Sequence, residues 1–291
     1  MQNLRLMVFI VFAFMFCDLN AQPQFAYSKD STLISYEVFG SGEQTLVFIH
    51  GWSCDSRYWR NQIDAFSGKY EIILIDLAGH GHSGISRDNY TMKAFGEDVK
   101  AVIDSTKSQN VILVGHSMGG GVIAEAALIT ENVIGLIGVD TYNNIEYPLT
   151  EENLDKMIAP LKNDFQTGSS QFVGSMFRPE ADVNIRAWVI ADMSSAPSEA
   201  AVNALENYMQ TYVTGYSAAI FENISLPVVA VSSDLWQIDS EANRRHMQSF
   251  EAIVIENSDH FLMLNNPNDF NKALAKAIEI VIAKKNEIIH K

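Results

Sequence analysis

Between residues 32 and 144 the sequence alternates short, largely apolar runs with segments of helical periodicity. These runs have the length of strands and are bounded by turn-forming residues. They are Thr32–Val38, Thr45–Ile49, Glu71–Ile75, Asn110–Val114 and Val133–Val139. Continuous apolar strands separated by helices are typical of a parallel sheet that is covered on both faces. The pattern therefore predicts an α/β fold with a mostly parallel central sheet, helices on both faces and right-handed crossovers.

The alternation then stops, and strand character returns only at Pro227–Val231 and Ala252–Ile255. The intervening sequence has the spacing of amphipathic helices. Its predicted helices are Glu151–Ala159, Phe165–Phe177, Ile185–Met193 and Ser198–Thr211. We predict one core domain built from residues 22–141 and 222–291, with residues 142–221 inserted as a helical cap. The cap would lie over the carboxyl ends of the strands, where open α/β sheets bind ligands.

The first 21 residues have the pattern of a secretory signal peptide. Arg5 supplies a positive start, and the apolar run Leu6–Phe16 is too short to span a bilayer comfortably. We expect cleavage after Ala21 and export to the periplasm or the medium, and an uncleaved segment would be the only contact with a membrane. Export would leave Cys54 as the only cysteine, so stability would come from core packing rather than from an internal disulfide.

Composition narrows the possible partners. Of the 291 residues, 47% are hydrophobic, which is sufficient for one large core. The chain has 35 acidic and 20 basic residues and a formal charge of −15, which disfavours binding to nucleic acid. The histidines are scattered, and the sequence has no paired-cysteine spacing and no glycine-rich phosphate loop. We therefore expect a small-molecule substrate, no metal and no cofactor, while the sequence gives no indication of oligomeric state.

The segment Gly115–Gly119 fits the pattern G-x-S-x-G and lies between a predicted strand and a predicted helix. A sharp strand-to-helix turn would expose Ser117, and the flanking glycines would let neighbouring backbone approach closely. The following helix start offers amide donors to a developing oxyanion. We predict Ser117 as a nucleophile. The Met118 amide and an amide near Trp52, which follows the strand Thr45–Ile49, would form the oxyanion hole.

Several short motifs occur in a fixed order along the chain: Phe48–Trp52, Asp76–Ser83, Gly115–Gly120 and Asp259–Phe261. In this order they resemble the α/β-hydrolase superfamily, in its serine-nucleophile, esterase and lipase-like branch. The resemblance covers essentially the whole chain after the signal segment. It implies the α/β-hydrolase fold and the order serine, acid, histidine along the sequence. His260 lies where the family places its histidine, in a loop before the final helix, and is the predicted general base.

The acid is where this sequence departs from the common family pattern. Most relatives carry an aspartate several residues beyond the strand that follows the cap, and that place falls on or near Trp236. Asp234 could serve if the loop is shorter here. Asp140 ends the strand Val133–Val139, as in haloalkane dehalogenases, at a place where an unpaired carboxylate is costly. We assign the acid to Asp140, with Asp234 as the alternative, and the criterion is which carboxylate can reach the His260 ring.

These residues imply an exported, carboxylesterase-like hydrolase that cleaves an ester-like bond of a small, largely apolar substrate through an acyl-enzyme. A C–C bond hydrolase, a lactonase or a perhydrolase could use the same triad. A non-catalytic small-molecule binder of the same fold is the rival outside enzymes. Gly51, His116 and Trp236 are the candidate substrate-binding residues. Trp236 could contribute to an aromatic, mostly apolar pocket.

Overall fold

The computed structural model describes residues 22–289, which form one eight-stranded sheet with helices on both faces. The predicted signal peptide, residues 1–21, lies outside the described residues. The strands are β1 (Gln24–Tyr27), β2 (Leu33–Phe39), β3 (Thr45–Ile49), β4 (Glu71–Ile75), β5 (Val111–His116), β6 (Val133–Val139), β7 (Val228–Ser233) and β8 (Phe250–Ile255). The predicted α/β fold with a mostly parallel sheet is confirmed.

The strands lie in the order β1-β2-β4-β3-β5-β6-β7-β8. Strands β3 to β8 are parallel, whereas β1 and β2 are antiparallel and extend one edge. The central strands β3, β5 and β7 are buried along their full length, as expected for strands covered on both faces. The chain turns from β4 on one side of β3 to β5 on the other. The carboxyl ends of β3 and β5 therefore flank a switch point of the kind that binds ligands in open α/β sheets.

The helices that follow the early strands cover the sheet, and a group of helices connects β6 to β7. In chain order they are α1 (Arg60–Phe66), α2 (Met92–Thr106), α3 (Met118–Ile129), α4 (Glu151–Asn163), α5 (Phe165–Gly174), α6 (Val183–Met193), α7 (Ser198–Val213), α8 (Tyr216–Ala219), α9 (Ser240–His246), α10 (Leu262–Asn265) and α11 (Pro267–Ile289). We refer to α4–α8 as the helical segment. Within residues 22–289, no helix combines the length and the hydropathy that crossing a membrane requires.

A buried charged network ties the antiparallel edge to the rest of the domain. The Asp98 carboxylate, on α2, accepts hydrogen bonds from Arg87 at 2.5 and 3.0 Å and from the Ser28 hydroxyl at 2.5 Å. The Ala78 amide donates to it at 3.2 Å. Arg87 also binds Asp30, which is more exposed. The network therefore joins the β1–β2 turn, the loop after β4 and α2 through one buried carboxylate.

Removing that charge should destabilise the fold. In Asp98→Asn, the buried Arg87 loses its main counter-ion, and we expect the free energy of unfolding to fall by about 3 kcal/mol. Asp104→Asn on the same helix is the control, because Asp104 is exposed and pairs only with Lys100 one turn away. Its effect should stay below about 0.5 kcal/mol. Urea unfolding measures both, and equal losses for the two variants would contradict the role given to the Asp98 network.

Candidate active site

Ser117 stands at a sharp turn between β5 and α3. Its backbone angles are φ 52° and ψ −119°, a region that side chains other than glycine rarely occupy. The Ser117 amide donates to the Val139 carbonyl at 3.0 Å. Its carbonyl accepts from the Gly120 amide at 2.8 Å and from the Thr141 hydroxyl at 2.7 Å. These three hydrogen bonds over-determine the turn and hold the strained residue in place.

The glycines on either side of Ser117 allow the close approach that the turn requires. A Cβ at Gly115 would lie 2.4 Å from the Gly119 carbonyl oxygen. A Cβ at Gly119 would lie 2.8 Å from the carbonyl oxygens of both Ile49 and His50. Any side chain at these positions would push α3 away from the ends of β5 and β3. The G-x-S-x-G pattern is thus explained by backbone contacts.

The His260 ring and the Asp140 carboxylate form a buried pair. Nδ1 of His260 lies 2.7 Å from Oδ2 of Asp140. The other carboxylate oxygen accepts from the Ser233 amide at 2.8 Å and from the Ser233 hydroxyl at 2.9 Å. Because an ionised carboxylate can only accept, Nδ1 carries the hydrogen and Nε2 is the basic nitrogen. The arrangement fixes one tautomer and one ring orientation.

Asp234, the alternative acid, does not contact the His260 ring. Its carboxylate forms an ion pair with Arg178 at 2.8 Å and accepts from the Ser258 amide at 3.1 Å. Burial raises the pKa of Asp234, but the loop amides and the Arg178 guanidinium outweigh this effect and hold the pKa below its ordinary value. Asp234 therefore fastens the loop that precedes His260. Of the two candidates, Asp140 is the one whose carboxylate reaches the His260 ring.

Trp236 lies beside the ring that Asp140 orients. The Trp236 ring meets the His260 ring edge to face, with 5.3 Å between centroids. It is 41% exposed and lines an open cleft of about 820 Å³ next to the site, which we call the outer cleft. Trp236 is thus near the reacting groups as a wall of the outer cleft.

His116 lies beneath the His260 loop. Its Nε2 donates to the His260 carbonyl at 2.9 Å, and the two rings are 4.5 Å apart. Burial, together with the neighbouring His260, lowers the pKa of His116 well below its ordinary value, so the ring is neutral. Nδ1 of His116 faces Gly51, where an added Cβ would lie only 2.7 Å away. Two of the three candidate substrate-binding residues, His116 and Gly51, therefore lie against each other beside His260, and Gly51 is not among the residues that line the cavity at Ser117.

The loop after β3 is held by a buried histidine. His50 accepts from the Leu77 amide at 3.0 Å through Nε2 and donates to the Gly51 carbonyl at 2.8 Å through Nδ1. Burial lowers its pKa and keeps it neutral. Among the hydrogen bonds of residues 22–289, neither the Trp52 nor the Met118 backbone amide has a protein acceptor. Two spare amide donors therefore border Ser117.

Ser117, His260, Trp52 and Met118 line a small cavity of about 40 Å³, which we call the inner cavity. The helical segment supplies most of its other walls: Phe172, Met176, Met193, Leu205, Tyr208 and Met209. Met176 lies in a methionine-containing stretch of the sequence that could line a pocket or simply pack, whereas the other five carried no signal beyond helical periodicity. Within the described part of the chain no hydrogen bond joins the Ser117 hydroxyl to His260, although both residues line the inner cavity.

Cys54 also lines the inner cavity and was missed as a site neighbour. Its thiol is buried and free, and Sγ donates to the Trp52 carbonyl at 3.3 Å. Burial raises the pKa of this thiol well above its ordinary value, so it is not a thiolate nucleophile. No grouping of three or more histidine, cysteine or acidic side chains suited to a metal ion occurs in residues 22–289.

Residues 44–267 match the family model described as alpha/beta hydrolase fold. The chain is 26% identical over 247 residues to a non-heme haloperoxidase from Rhodococcus erythropolis, covering 80% of this chain and 84% of that protein. It superimposes on an esterase from Exiguobacterium antarcticum with a TM-score of 0.77 and 23% identity, covering 89% of this chain and all of that one. At that identity, the likeness to the esterase concerns the fold.

Other curated relatives match only in part. A dihydrolipoyllysine-residue acetyltransferase component of an acetoin cleaving system, from Cupriavidus necator, is 35% identical over 111 residues. That match covers 38% of this chain and 29% of the relative. The chain thus spans less than a third of that relative's length, and the relative's activity carries over to this chain only as a proposal.

The tight contact at Gly51 can be tested by adding one methyl group. In Gly51→Ala the new Cβ would press on His116, which cannot yield because its Nε2 is bound to His260. We expect a loss of about 1–3 kcal/mol in the free energy of unfolding. Gly68→Ala is the matched control, since its Cβ would meet nothing within 4 Å and it should be neutral or slightly stabilising. Urea unfolding measures both variants. An unchanged free energy of unfolding in Gly51→Ala would contradict the tight contact with His116.

Proposed function

The chain belongs to the alpha/beta hydrolase fold family, and we propose that it is a serine hydrolase that cleaves carboxylic esters of small molecules. The observation that carries the proposal is the 2.7 Å contact between His260 and Asp140 at a cavity that Ser117 also lines. Ser117 is the nucleophile, His260 the general base and Asp140 the acid that orients it.

In the first step His260 Nε2 accepts the Ser117 hydroxyl proton while the serine oxygen attacks the ester carbonyl carbon. The imidazolium that forms is stabilised by Asp140, whose second oxygen is already satisfied by Ser233. This carboxylate is buried, so its charge acts on the ring with little screening. His260 then donates its proton to the departing alcohol oxygen, which leaves an acyl group on Ser117.

The carbonyl oxygen gains negative charge in this step, and the amides of Trp52 and Met118 are the proposed donors to it. Their lack of protein acceptors supports this role, because an unpaired buried amide is otherwise costly. The Trp52 amide belongs to the loop that His50 and Cys54 fix, and the Met118 amide belongs to the start of α3. Both donors are therefore preorganised.

Water completes the reaction by attacking the acyl-enzyme. His260 takes a proton from that water as it adds to the acyl carbonyl, and the same two amides bind the second oxyanion. The tetrahedral intermediate then collapses, the bond to the serine oxygen breaks, and His260 returns the proton to Ser117. Each residue thus acts twice, once for acylation and once for deacylation.

A binding protein of the same fold is the rival to this proposal. It would have no need of an activated serine, so a fluorophosphonate probe distinguishes the two. We expect the probe to label Ser117 covalently and the Ser117→Ala variant to remain unlabelled and inactive. A folded wild-type protein that resists the probe and cleaves no aryl ester would overturn the proposed function.

Two carboxylate variants test the acid. Asp140→Asn should reduce kcat on 4-nitrophenyl acetate by about 10³- to 10⁴-fold, because an asparagine at this position favours the wrong His260 tautomer. Asp234→Asn is the matched control: it removes a partly exposed ion pair with Arg178 and should change kcat less than about fivefold. Circular dichroism checks that both variants are folded. A large loss in Asp234→Asn together with an active Asp140→Asn would reverse the assignment.

A further inference from the structure

The inner cavity and the outer cleft share a wall. Tyr208 and Met209, both on α7, line the inner cavity at Ser117 and also the outer cleft. Tyr208 additionally lines a third space of about 30 Å³ beneath α7. Tyr208 therefore lies between the cavity that Ser117 lines and two neighbouring spaces, with Met209 beside it at the outer cleft.

Tyr208 is held firmly enough to act as a wall. It is 7% exposed, and its hydroxyl lies 3.2 Å from the Tyr212 hydroxyl and 3.4 Å from the Thr141 hydroxyl. Its ring lies against the Cα of Gly121 on α3, where an added Cβ would come within 3.2 Å of the ring. Thr141 also donates to the Ser117 carbonyl, so the Tyr208 side chain and the turn at Ser117 are fixed to the same residue.

The inner cavity is small in relation to an acyl chain. A volume of about 40 Å³ corresponds to roughly three water-sized atoms, since one such atom takes about 10–15 Å³ on the same scale. The remaining walls are bulky, with Phe172 and Leu205 from the helical segment and Phe261 from the loop after His260. An acyl group of two or three carbons fills this space, and a longer one meets the Tyr208 ring.

The outer cleft has the size and the position for the alcohol part of an ester. Its volume is about 820 Å³, and Trp236 on its wall touches the His260 ring, which delivers the proton to the departing oxygen. The lining includes the carboxylates of Asp239 and Glu241 and no lysine or arginine. An uncharged or cationic alcohol suits such a cleft, whereas an anionic one is repelled.

We propose that the protein cleaves esters of two- or three-carbon acids with larger uncharged or cationic alcohols, and that Tyr208 is the residue that sets the acyl-length limit. This inference rests on the proposed ester hydrolysis and adds to it the substrate class. The acyl group occupies the inner cavity, and the alcohol lies in the outer cleft against Trp236.

The acyl limit is tested with 4-nitrophenyl esters from acetate to octanoate, which share one leaving group. For the wild type we expect kcat/KM to be highest for acetate or propionate and to fall by about tenfold or more at hexanoate. In Tyr208→Ala the inner cavity opens into the outer cleft, and the hexanoate-to-acetate ratio of kcat/KM should rise by about tenfold or more. Tyr208→Phe keeps the ring and loses only the hydroxyl, so it should retain the wild-type ratio.

Thermal unfolding shows which variants are folded, and Tyr208→Leu replaces Tyr208→Ala if the alanine variant is not. A wild type that cleaves octanoate as well as acetate, or a folded Tyr208→Ala with an unchanged ratio, overturns the inference. Labelling by a fluorophosphonate distinguishes failure of this inference from failure of the proposed function. A labelled Ser117 with a flat acyl profile defeats only the role of Tyr208, whereas an unlabelled Ser117 without ester cleavage defeats both.

The alcohol preference is tested with 4-acetoxybenzoate and its methyl ester, which differ in charge at the end remote from the ester. We expect the neutral ester to be cleaved with the higher kcat/KM. Glu241→Lys should narrow that difference, because Glu241 lines the outer cleft. Glu131→Lys changes the net charge equally at an exposed position outside the cleft lining and should leave the difference unchanged. Equal effects of the two variants, or a preference for the anion, would refute this part.

Discussion

Every group of the candidate site leaves the sheet at the same edge, because β3 and β5–β8 are parallel. Trp52 follows β3, Ser117 follows β5, Asp140 follows β6 and His260 follows β8. Side chains that are far apart in sequence therefore meet at the carboxyl ends of the strands. In the sheet β7 lies between β6 and β8. Asp140 follows β6 and His260 follows β8, so the two side chains meet past the end of β7.

Asp140, His50 and His116 are buried at that edge, and each is held by at least one hydrogen bond. Asp140 is fully buried as a side chain, and hydrogen bonds from Ser233 and His260 replace its lost hydration. His50 and His116 are neutral rings that hold backbone carbonyls, one of the loop after β3 and the other of His260 itself. His50 and His116 thus hold the backbone around Ser117 and His260, and of these three histidines only His260 is hydrogen-bonded to a carboxylate.

Sequence reasoning reached the fold because the signal was long and repeated: buried parallel strands are apolar throughout, and the turn at Ser117 needs its glycines. It was weaker at the edge of the sheet and at the ends of helices. The edge strand β1 has only Ala26 buried and was not predicted. The predicted end of α4 at Ala159 was wrong, because Pro160 lies inside a helix that continues to Asn163. Gly168 of α5 lies so close to this part of α4 that an added Cβ would come within 2.7 Å of the Pro160 carbonyl.

Sequence patterns favoured Asp140 over Asp234 without deciding between them, and they did not reach the shape of the cavities, because both depend on how loops and helices pack. Asp234 was a candidate by its position along the chain, yet Arg178 from beyond α5 draws its carboxylate away from the ring. Aromatic content was equally ambiguous. Tyr58 and Trp59 are wholly buried in the core, whereas Trp52 and Trp236 line the two spaces around the nucleophile. Tyr208 had no signal beyond the helical periodicity of Ser198–Thr211, because its position between these spaces is set by the contact of α7 with Gly121 and Thr141 rather than by any motif.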